Sequence, residues 1–457
     1  MRSVLHRFTS SEFLKNVATL LTATGLAQAI SLAIYPVLSR IYTPEEHGLF
    51  ALYLSIITLT AIISTGKYEL AIMIPKKEKD GAGLTLLGIL LSFAFSLLLL
   101  VFIAFFHDRI PGWFGNPLLE KWLWYIPLST FLVAVFQSLS YWSNRKSEYR
   151  AIGGANLTQS VVNSAVKLSA SKTLLHGGGL ITGAIAGQLI GAVVFAGRHF
   201  RKGFRQFREV TLADLKALAV QHSFFPRYSM LHKLINNFSS SLPVFVFTRW
   251  FDPAVAGFFG LGFMLINRPL NLLSTSFSRV FAQRIIAMHN DGRRIGEDVK
   301  KFVWRMAALA AGPTLLIIAA GPWLVRIIFG SNWHEAGVYM QIFAPWLFVV
   351  FLSAPVNFIA DMVSRQRKAM LLEVIKLILR VGALGAGVVT GDVYLALGLY
   401  SGFSLVVVGY SLVWYLHLAR RADEGKASPG EAVPGTPPRE GGSPKNGSTD
   451  KKSTNGQ

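Results

Sequence analysis

Apolar stretches of about 20 residues recur along almost the whole chain, and a short charged or Gly- and Pro-containing segment interrupts each one. A helix needs about 20 apolar residues to cross the hydrocarbon core of a bilayer, so each stretch predicts one membrane-spanning helix. We therefore expect an all-α polytopic membrane protein with about twelve spans. The predicted spans are 14–38, 49–74, 81–106, 121–143, 151–173, 178–197, 222–248, 257–278, 303–328, 338–362, 369–390 and 394–417. The first is too long for the apolar region of a signal peptide, so we expect it to remain in the protein.

Lys and Arg are distributed very unequally between the two predicted sides of the membrane. If the N-terminus lies in the cytoplasm, the segments on that side hold about 27 of these residues and the segments on the other side about four. Lys and Arg in short loops are retained on the cytoplasmic side. The bias predicts that the N-terminus and the C-terminus are both cytoplasmic.

Two junctions between predicted helices share one pattern. Residues 40–50 read RIYTPEEHGLF and residues 249–259 read RWFDPAVAGFF, so that Pro44 and Pro253 are 209 positions apart. Thr43 and Asp252 are helix-capping residue types, and proline fits the first helical position. A weaker echo pairs Phe114-Gly115-Asn116 with Phe329-Gly330-Ser331. A convergent helix-start signal is the alternative to a true repeat.

The offset of this repeat is about half the membrane-embedded length, which corresponds to six helices. An even number of helices gives both halves the same orientation, as in transporters whose site lies between two parallel repeats. We therefore predict two six-helix bundles related by a parallel repeat. The predicted parts are an N-terminal bundle at 1–197, a basic cytoplasmic linker at 198–221, a C-terminal bundle at 222–418 and a disordered cytoplasmic tail at 419–457.

Composition and charge narrow the function classes. The chain is 52% hydrophobic and only 15% charged, and its net charge is +21. Most of the positive charge is explained by the side of the membrane on which it lies, so we expect no nucleic-acid partner. The chain has no cysteine, which excludes disulfides, thiolate metal sites and cysteine nucleophiles. A Walker A motif is also absent. We expect no catalytic residue, metal or cofactor, and hence a protein that is not an enzyme.

Ionisable residues within membrane spans are costly and usually mark a functional site. The cations predicted near mid-depth are Lys167, Lys233, Arg268 and Arg380, and those nearer the cytoplasmic end are Lys67, Arg227 and Lys376. The acids that oppose them, which are also candidates for ion coupling, are Glu69, Asp361 and Glu373. Seven cations against three acids leave about four positive charges without a protein partner. A buried arginine keeps its proton, so we expect an anionic ligand.

Local pairing remains the alternative for part of this set. Lys67 can meet Glu69, Glu373 and Lys376 form a helical i,i+3 pair, and cations near helix ends can extend to the head groups. Several amides within the spans could bind sugar hydroxyls or join helices to one another. These amides are Gln28, Asn163, Gln188, Asn236 and Asn237.

Two stretches near the N-terminus carry a family resemblance. Residues 33–48 read AIYPVLSRIYTPEEHG and residues 66–75 read GKYELAIMIP. Together they resemble the opening of the bacterial polysaccharide-biosynthesis flippases, which belong to the multidrug/oligosaccharidyl-lipid/polysaccharide exporter superfamily. The resemblance implies two six-helix bundles around a central cationic cavity in a bacterial inner membrane. It also implies that the substrate is an undecaprenyl-diphosphate-linked oligosaccharide, flipped to the outer leaflet for O-antigen, capsule or exopolysaccharide synthesis.

The expected partners are therefore that lipid-linked oligosaccharide, the lipid bilayer and, downstream, a polysaccharide polymerase with its chain-length machinery. A cation-coupled multidrug exporter of the same superfamily is the first alternative function. The predicted first span contains Thr22, Thr24 and Gln28 but no acid, which counts against that alternative. A membrane glycan polymerase or glycosyltransferase is the second alternative, and the short outside loops count against it.

Overall fold

The computed structural model describes residues 11–170, 178–201, 205–363 and 365–424, and within these ranges it contains helices and no strand. Twelve long helices, numbered here α1 to α12, account for most of it. They are α1 Ser11–Ala33, α2 Pro44–Thr65, α3 Glu78–Phe106, α4 Tyr125–Arg145, α5 Tyr149–Ser169, α6 Gly178–Arg201, α7 Met230–Trp250, α8 Pro253–Asn290, α9 Gly296–Phe329, α10 His334–Ser353, α11 Gln366–Thr390 and α12 Val393–Asp423. The predicted all-α fold is confirmed, and the twelve long helices agree with the predicted count of about twelve.

Shorter helical segments extend or connect the long helices. They are Tyr35–Ile41, Tyr68–Met73, Ile110–Phe114, Pro117–Leu119, Glu120–Leu123, Arg205–Arg208, Leu212–Gln221, Phe225–Ser229, Ser331–Trp333, Ala354–Val356 and Phe358–Met362. Several predicted ends move as a result. Within the predicted span 49–74, α2 ends at Thr65 and the short segment Tyr68–Met73 follows it. Helix α8 runs twelve residues beyond the predicted limit of 278. Likewise α12 continues to Asp423, past the predicted start of the tail at 419, and residues 425–457 of that tail lie outside the described part.

The helices pack as two bundles of six, α1–α6 and α7–α12. In the first, α5 packs between α1 and α6, and α3 packs on α4; in the second, α12 packs against α10 and α11, and α9 packs on α10. Between the bundles, α2 lies along α8 and also contacts α7. This arrangement is the predicted pair of six-helix bundles.

Two faces of the molecule are distinguished by their connections. We call the side that holds residues 41–44 and 250–253 the junction face, and the opposite side, which holds residues 205–221, the linker face. The α1–α2 and α7–α8 connections lie on the junction face, whereas α2–α3, α4–α5, α8–α9 and α10–α11 are joined on the linker face.

The two repeated junctions contact each other on the junction face. Thr43 forms a capping box with Glu46 at the start of α2, and the Asp252 carboxylate accepts a hydrogen bond from the amide of Ala254 at the start of α8. The backbones then approach so closely that a Cβ on Gly48 would lie 1.9 Å from the Pro253 carbonyl oxygen. A Cβ on Gly257 would lie 1.9 Å from the Pro44 carbonyl oxygen. Each half therefore supplies the glycine that accommodates the proline of the other half.

A second reciprocal contact extends this closure. The Ser39 hydroxyl donates to the Phe329 carbonyl at 2.9 Å, and the Trp333 indole donates to the Ser39 carbonyl at 2.7 Å. In the other direction, Gly115 packs against the backbone of Thr248 and Arg249. Ser39 and Thr248 are related by the same 209-residue offset, so the structure closes the junction face with paired contacts.

On the linker face the predicted linker contains helix. Thr211 and Asp214 form a capping box at the start of Leu212–Gln221, and the Asp214 carboxylate also pairs with the Lys79 ammonium at 2.7 Å. The Tyr68 hydroxyl donates to the Ala219 carbonyl at 2.9 Å. At the end of the second bundle, the Asp423 carboxylate accepts hydrogen bonds from the amides of Ile295 and Gly296, and so caps α9.

Candidate functional site

Three of the twelve long helices are too polar to be identified as membrane spans by apolar composition. Among the described helices, eight are long and apolar enough to cross a membrane, or nine when the bent pair Pro117–Leu123 and Tyr125–Arg145 counts as one span. The helices that do not qualify are α5, α7 and α11. These three carry Lys167, Lys233, Glu373, Lys376 and Arg380. Charged side chains that would be costly in contact with lipid are therefore concentrated on three helices, and these helices must pack against protein or water there.

A cavity of about 630 Å³ lies between the two bundles at the linker face. The first bundle contributes Lys67, Leu70 and Tyr141, and α7, α11 and the Phe225–Ser229 segment line the other side. The charged residues of the lining are Lys67, Arg227, Lys233 and Glu373, and His232 and Asn236 add polar groups. Phe224 and Tyr228 are also exposed there, so the cavity opens on the linker face.

Lys67 is held at the edge of this cavity by an unusual turn. Gly66 and Lys67 both adopt the left-handed conformation, with φ of 56° and 61°, and this ends α2. A left-handed backbone is costly for a residue with a side chain, and such positions concentrate at functional sites. The turn brings the Lys67 ammonium within 2.8 Å of the Glu69 carboxylate, which is only 1% exposed. The pairing that the sequence left as an alternative is present.

The acid on the opposite wall is also neutralised within the protein. Glu373 accepts a hydrogen bond from the Lys376 ammonium at 2.7 Å and one from the Asn236 amide at 3.3 Å. Arg227 and Lys233 have no ion-pair partner among the residues that the structure describes. Because Glu69 and Glu373 are already paired, these two cations give the cavity lining a positive excess.

Lys167 and Arg268 line a second, smaller cavity of about 140 Å³. Lys167 lies in the last turn of α5, closer to the junction face than its predicted mid-depth position. Its ammonium sits 4.5 Å from the centre of the Phe50 ring and 5.8 Å from that of Tyr35. Two nearby amide oxygens, Asn163 Oδ1 and Gln188 Oε1, are buried without a hydrogen-bond partner. Arg268 comes from α8 of the other bundle, so this site also joins the two halves.

Arg380 lies apart from both cavities and is only 3% exposed. Its guanidinium donates to the hydroxyls of Ser404 at 2.8 Å and Ser239 at 2.9 Å. The rings of Trp346 and Tyr400 lie 4.9 Å and 4.6 Å from its central carbon. This cation is enclosed by serine oxygens and ring faces, an arrangement that ties α7, α10, α11 and α12 together.

The structure thus separates the candidate residues into distinct groups. Lys67, Arg227, Lys233 and Glu373 line the linker-face cavity, and Glu69 and Lys376 pair with two of them. Lys167 and Arg268 share the smaller cavity, and Arg380 is enclosed. Asp361 lies in the segment after α10 and lines neither cavity. Among the described residues no three His, Asp or Glu side chains are grouped so that they could hold a metal ion.

Sequence reasoning missed the aromatic residues that surround the buried cations. Tyr35 and Phe50 flank Lys167, and Trp346 and Tyr400 flank Arg380. Apolar spans contain many aromatic residues, so their presence alone could not identify these four. The repeat gave a signal for the two cations but not for the rings around them. Lys167 lies on α5 and Arg380 on α11, and each of these is the fifth long helix of its half.

Comparison with known proteins places the fold among membrane transporters. A family model described as polysaccharide biosynthesis protein matches residues 37–338. A solved structure described as the lipid II flippase MurJ, in an inward closed conformation, has a TM-score of 0.69 at 11% identity, over 88% of this chain and 90% of that chain. No curated protein matches the chain.

Two further solved structures share the architecture. An inward-facing multidrug resistance MATE family transporter of the MOP superfamily has a TM-score of 0.65 at 14% identity, over 89% of this chain and 95% of that chain. A MOP superfamily transporter from Pyrococcus furiosus, described by a reverse polarity of its binding pocket, has a TM-score of 0.61 at 11% identity, over 89% and 96% of the two chains. At these identities the likeness concerns the fold.

Proposed function

The chain belongs to the polysaccharide biosynthesis protein family and has the fold of MOP superfamily transporters, and from this premise we propose that it flips an undecaprenyl-diphosphate-linked oligosaccharide across the bacterial inner membrane. The glycan would move from the cytoplasmic to the outer leaflet, for the synthesis of a cell-surface polysaccharide.

The positive excess of the linker-face cavity is the observation that carries this proposal. Arg227 and Lys233 face a space between the bundles in which Glu69 and Glu373 are already neutralised by Lys67 and Lys376. A diphosphate supplies the missing negative charge, and charge-assisted hydrogen bonds to phosphate are among the strongest that a protein makes. Asn236 lines the same cavity, and its side-chain oxygen supplies an acceptor for sugar hydroxyls.

The distribution of Lys and Arg between the two faces supports an orientation for the molecule. We propose that the linker face is cytoplasmic, because the Lys- and Arg-rich segments are on that side. The cavity is then open to the leaflet from which the substrate comes, while paired contacts close the junction face. Transport requires the reverse arrangement, in which the junction face opens and the linker face closes around the emptied cavity. The polyprenyl chain stays in the bilayer throughout.

Reconstitution tests this function directly. Phosphatidylcholine vesicles containing the full chain and a fluorescent undecaprenyl-diphosphate oligosaccharide are treated with a membrane-impermeant quencher, and the rate at which label becomes accessible is measured. Arg227→Gln and Lys233→Gln should each slow this rate about tenfold, because each removes one charge-assisted contact to phosphate. Lys300→Gln, which changes an exposed cation on the linker face outside the cavity, is the matched control and should leave the rate unchanged.

A cation-coupled multidrug exporter is the second candidate, favoured by the similarity to a MATE family structure. Its coupling carboxylate would be Glu69, Asp361 or Glu373. Vesicles that move organic cations down an imposed ion gradient, but leave the diphosphate lipid unmoved, would establish this function in place of the flippase. Loss of that transport in Glu373→Gln would then identify the coupling group.

A further inference from the structure

A basic and aromatic groove lies on the second bundle, between α11 and α12 at the linker face. Its volume is about 460 Å³, and it is distinct from the cavity between the bundles. The polar residues of its lining are Arg365, Lys368, His417 and Arg421, and Tyr410 and Trp414 supply the aromatic surface. No carboxylate belongs to the lining.

Lys368 is held in position within this groove. Its ammonium donates to the Tyr410 hydroxyl at 2.9 Å and lies 5.1 Å and 4.9 Å from the ring centres of Tyr410 and Trp414. None of these partners carries a negative charge. Arg365 and Arg421 likewise have no ion-pair partner within the described part of the chain. Three positive charges therefore converge on one groove without compensation.

The surface beside the groove is apolar and faces away from the protein. Val413 is 66% exposed, Val406 lies about two turns deeper along α12 and is 68% exposed, and half of Tyr410 is exposed. In a membrane-spanning helix such a surface contacts acyl chains, and Tyr and Trp mark the level of the head groups. The cations thus lie where lipid phosphates are, directly above a surface suited to lipid tails.

The repeat provides an internal comparison. The corresponding groove of the first bundle, between α5 and α6, is lined by Arg150 and Arg198 and has a volume of about 680 Å³. There the Glu148 carboxylate lies 3.5 Å from Arg198 Nε, and the described residues of the lining include no third cation and no pair of aromatic rings. Among the side chains that the structure describes, three uncompensated cations therefore meet in the groove between α11 and α12 and not in the repeat-related groove.

We propose that the groove between α11 and α12 binds the head group of an anionic lipid that carries at least two phosphate charges, with its chains along Val406 and Val413. Three converging cations match a doubly charged head group better than a singly charged one, which would leave most of the charge uncompensated. Two lipids have this chemistry: a diphosphatidyl phospholipid resident in the membrane and a polyprenyl diphosphate. The proposal concerns binding and does not depend on transport.

Native mass spectrometry of the full chain in detergent tests the proposal with defined probes. These are cardiolipin, undecaprenyl diphosphate, phosphatidylglycerol, phosphatidylcholine and inorganic pyrophosphate. We expect cardiolipin or undecaprenyl diphosphate to bind more tightly than phosphatidylglycerol, and phosphatidylcholine most weakly. Retention of cardiolipin alone identifies a structural phospholipid, and retention of undecaprenyl diphosphate alone identifies a site for the polyprenyl lipid.

Substitutions assign the binding to this groove. Each cation is expected to contribute about one contact to phosphate, so Lys368→Gln should weaken the affinity for the doubly charged lipid about fivefold. The double variant Lys368→Gln/Arg421→Gln should weaken this affinity about 30-fold, whereas Lys368→Arg should retain it. Arg150→Gln/Arg198→Gln in the repeat-related groove is the control and should bind as the unchanged protein does. Equal losses of lipid affinity in the two double variants would overturn the proposal. It would also be overturned if pyrophosphate bound as tightly as the lipids, or if the doubly charged lipids bound no more tightly than phosphatidylglycerol.

Discussion

At the scale of single residues, some charged side chains near the linker-face cavity form ion pairs within the protein and others do not. Lys67 and Glu69 neutralise each other, as do Lys376 and Glu373, whereas Arg227 and Lys233 have no such partner among the described residues. The sequence could predict the near neighbours, because residues two or three positions apart meet within one turn. It could not predict that Arg380 binds Ser239, since 141 positions separate them and only the packing of α7 on α11 joins them.

The Lys67–Glu69 pair makes a prediction about stability. Lys67→Met leaves the Glu69 carboxylate buried without its cation, and we expect the free energy of unfolding to fall by about 3 kcal/mol. The double variant Lys67→Met/Glu69→Gln removes the uncompensated charge and should recover a large part of this loss. Denaturant titration in detergent measures both. Equal stability of the single and double variants would show that the buried carboxylate carries no such cost.

At the scale of helices, bilayer thickness explains why the number of spans could be predicted and their ends could not. A span needs a fixed apolar length, so an apolar pattern counts crossings well. Beyond the hydrocarbon core nothing requires a helix to stop, and α8 continues to Asn290. The end of α2 depends on the left-handed turn at Gly66 and Lys67, for which an apolar pattern holds no signal. A prediction of the linker from its charges alone overlooks the capping box at Thr211 and Asp214.

The Leu212–Gln221 helix should loosen when its cap is neutralised. The Lys79 ammonium and the Thr211 amide hold the pKa of the Asp214 carboxyl well below its usual range. Because this pKa is lower in the folded state than in the unfolded state, the ionised carboxylate stabilises the helix at pH values above the unfolded pKa of about 4. That stabilisation is lost as the pH falls through the lower pKa of the folded state. Asp214→Asn should therefore speed tryptic cleavage at Arg208 and Lys216 at pH 7.

An exposed acid outside the cap provides the control for that experiment. Asp291→Asn changes a carboxylate in the α8–α9 connection and should leave the cleavage rate as it is. If Asp214→Asn is cleaved no faster than Asp291→Asn, the cap and its pair with Lys79 do not hold the linker helix in place.

At the scale of the whole molecule, the two halves meet through backbone on the junction face and leave a charged space at the linker face. The repeat at residues 40–50 and 249–259 predicted that the halves are equivalent. It could not predict that the two junctions contact each other, because a repeat specifies similar local structures and not their mutual position. That contact explains why glycine stands four residues after each proline.

Adding a side chain at one of the two glycines should open the junction face. In Gly257→Val the new side chain would overlap the Pro44 carbonyl, so α2 and α8 must separate. The chain has no cysteine, so Ser39→Cys, at a position only 6% exposed, serves as a single reporter. A membrane-impermeant maleimide should label this cysteine several times faster in the Gly257→Val background. Gly382→Val, at a glycine where an added Cβ would have no neighbouring atom within 4 Å, is the control. Unchanged labelling would mean that the crossing does not hold the face closed.

The crossing at Gly48 and Gly257 also limits how this chain can diverge over evolutionary time. Most tight contacts between side chains tolerate a larger residue when the partner becomes smaller. Here the atom that each glycine meets is a main-chain carbonyl oxygen, and no substitution shortens the main chain. Neither half can therefore compensate for a change in the other. Homologous sequences should keep both glycines together, however far the flanking residues of the two halves drift apart.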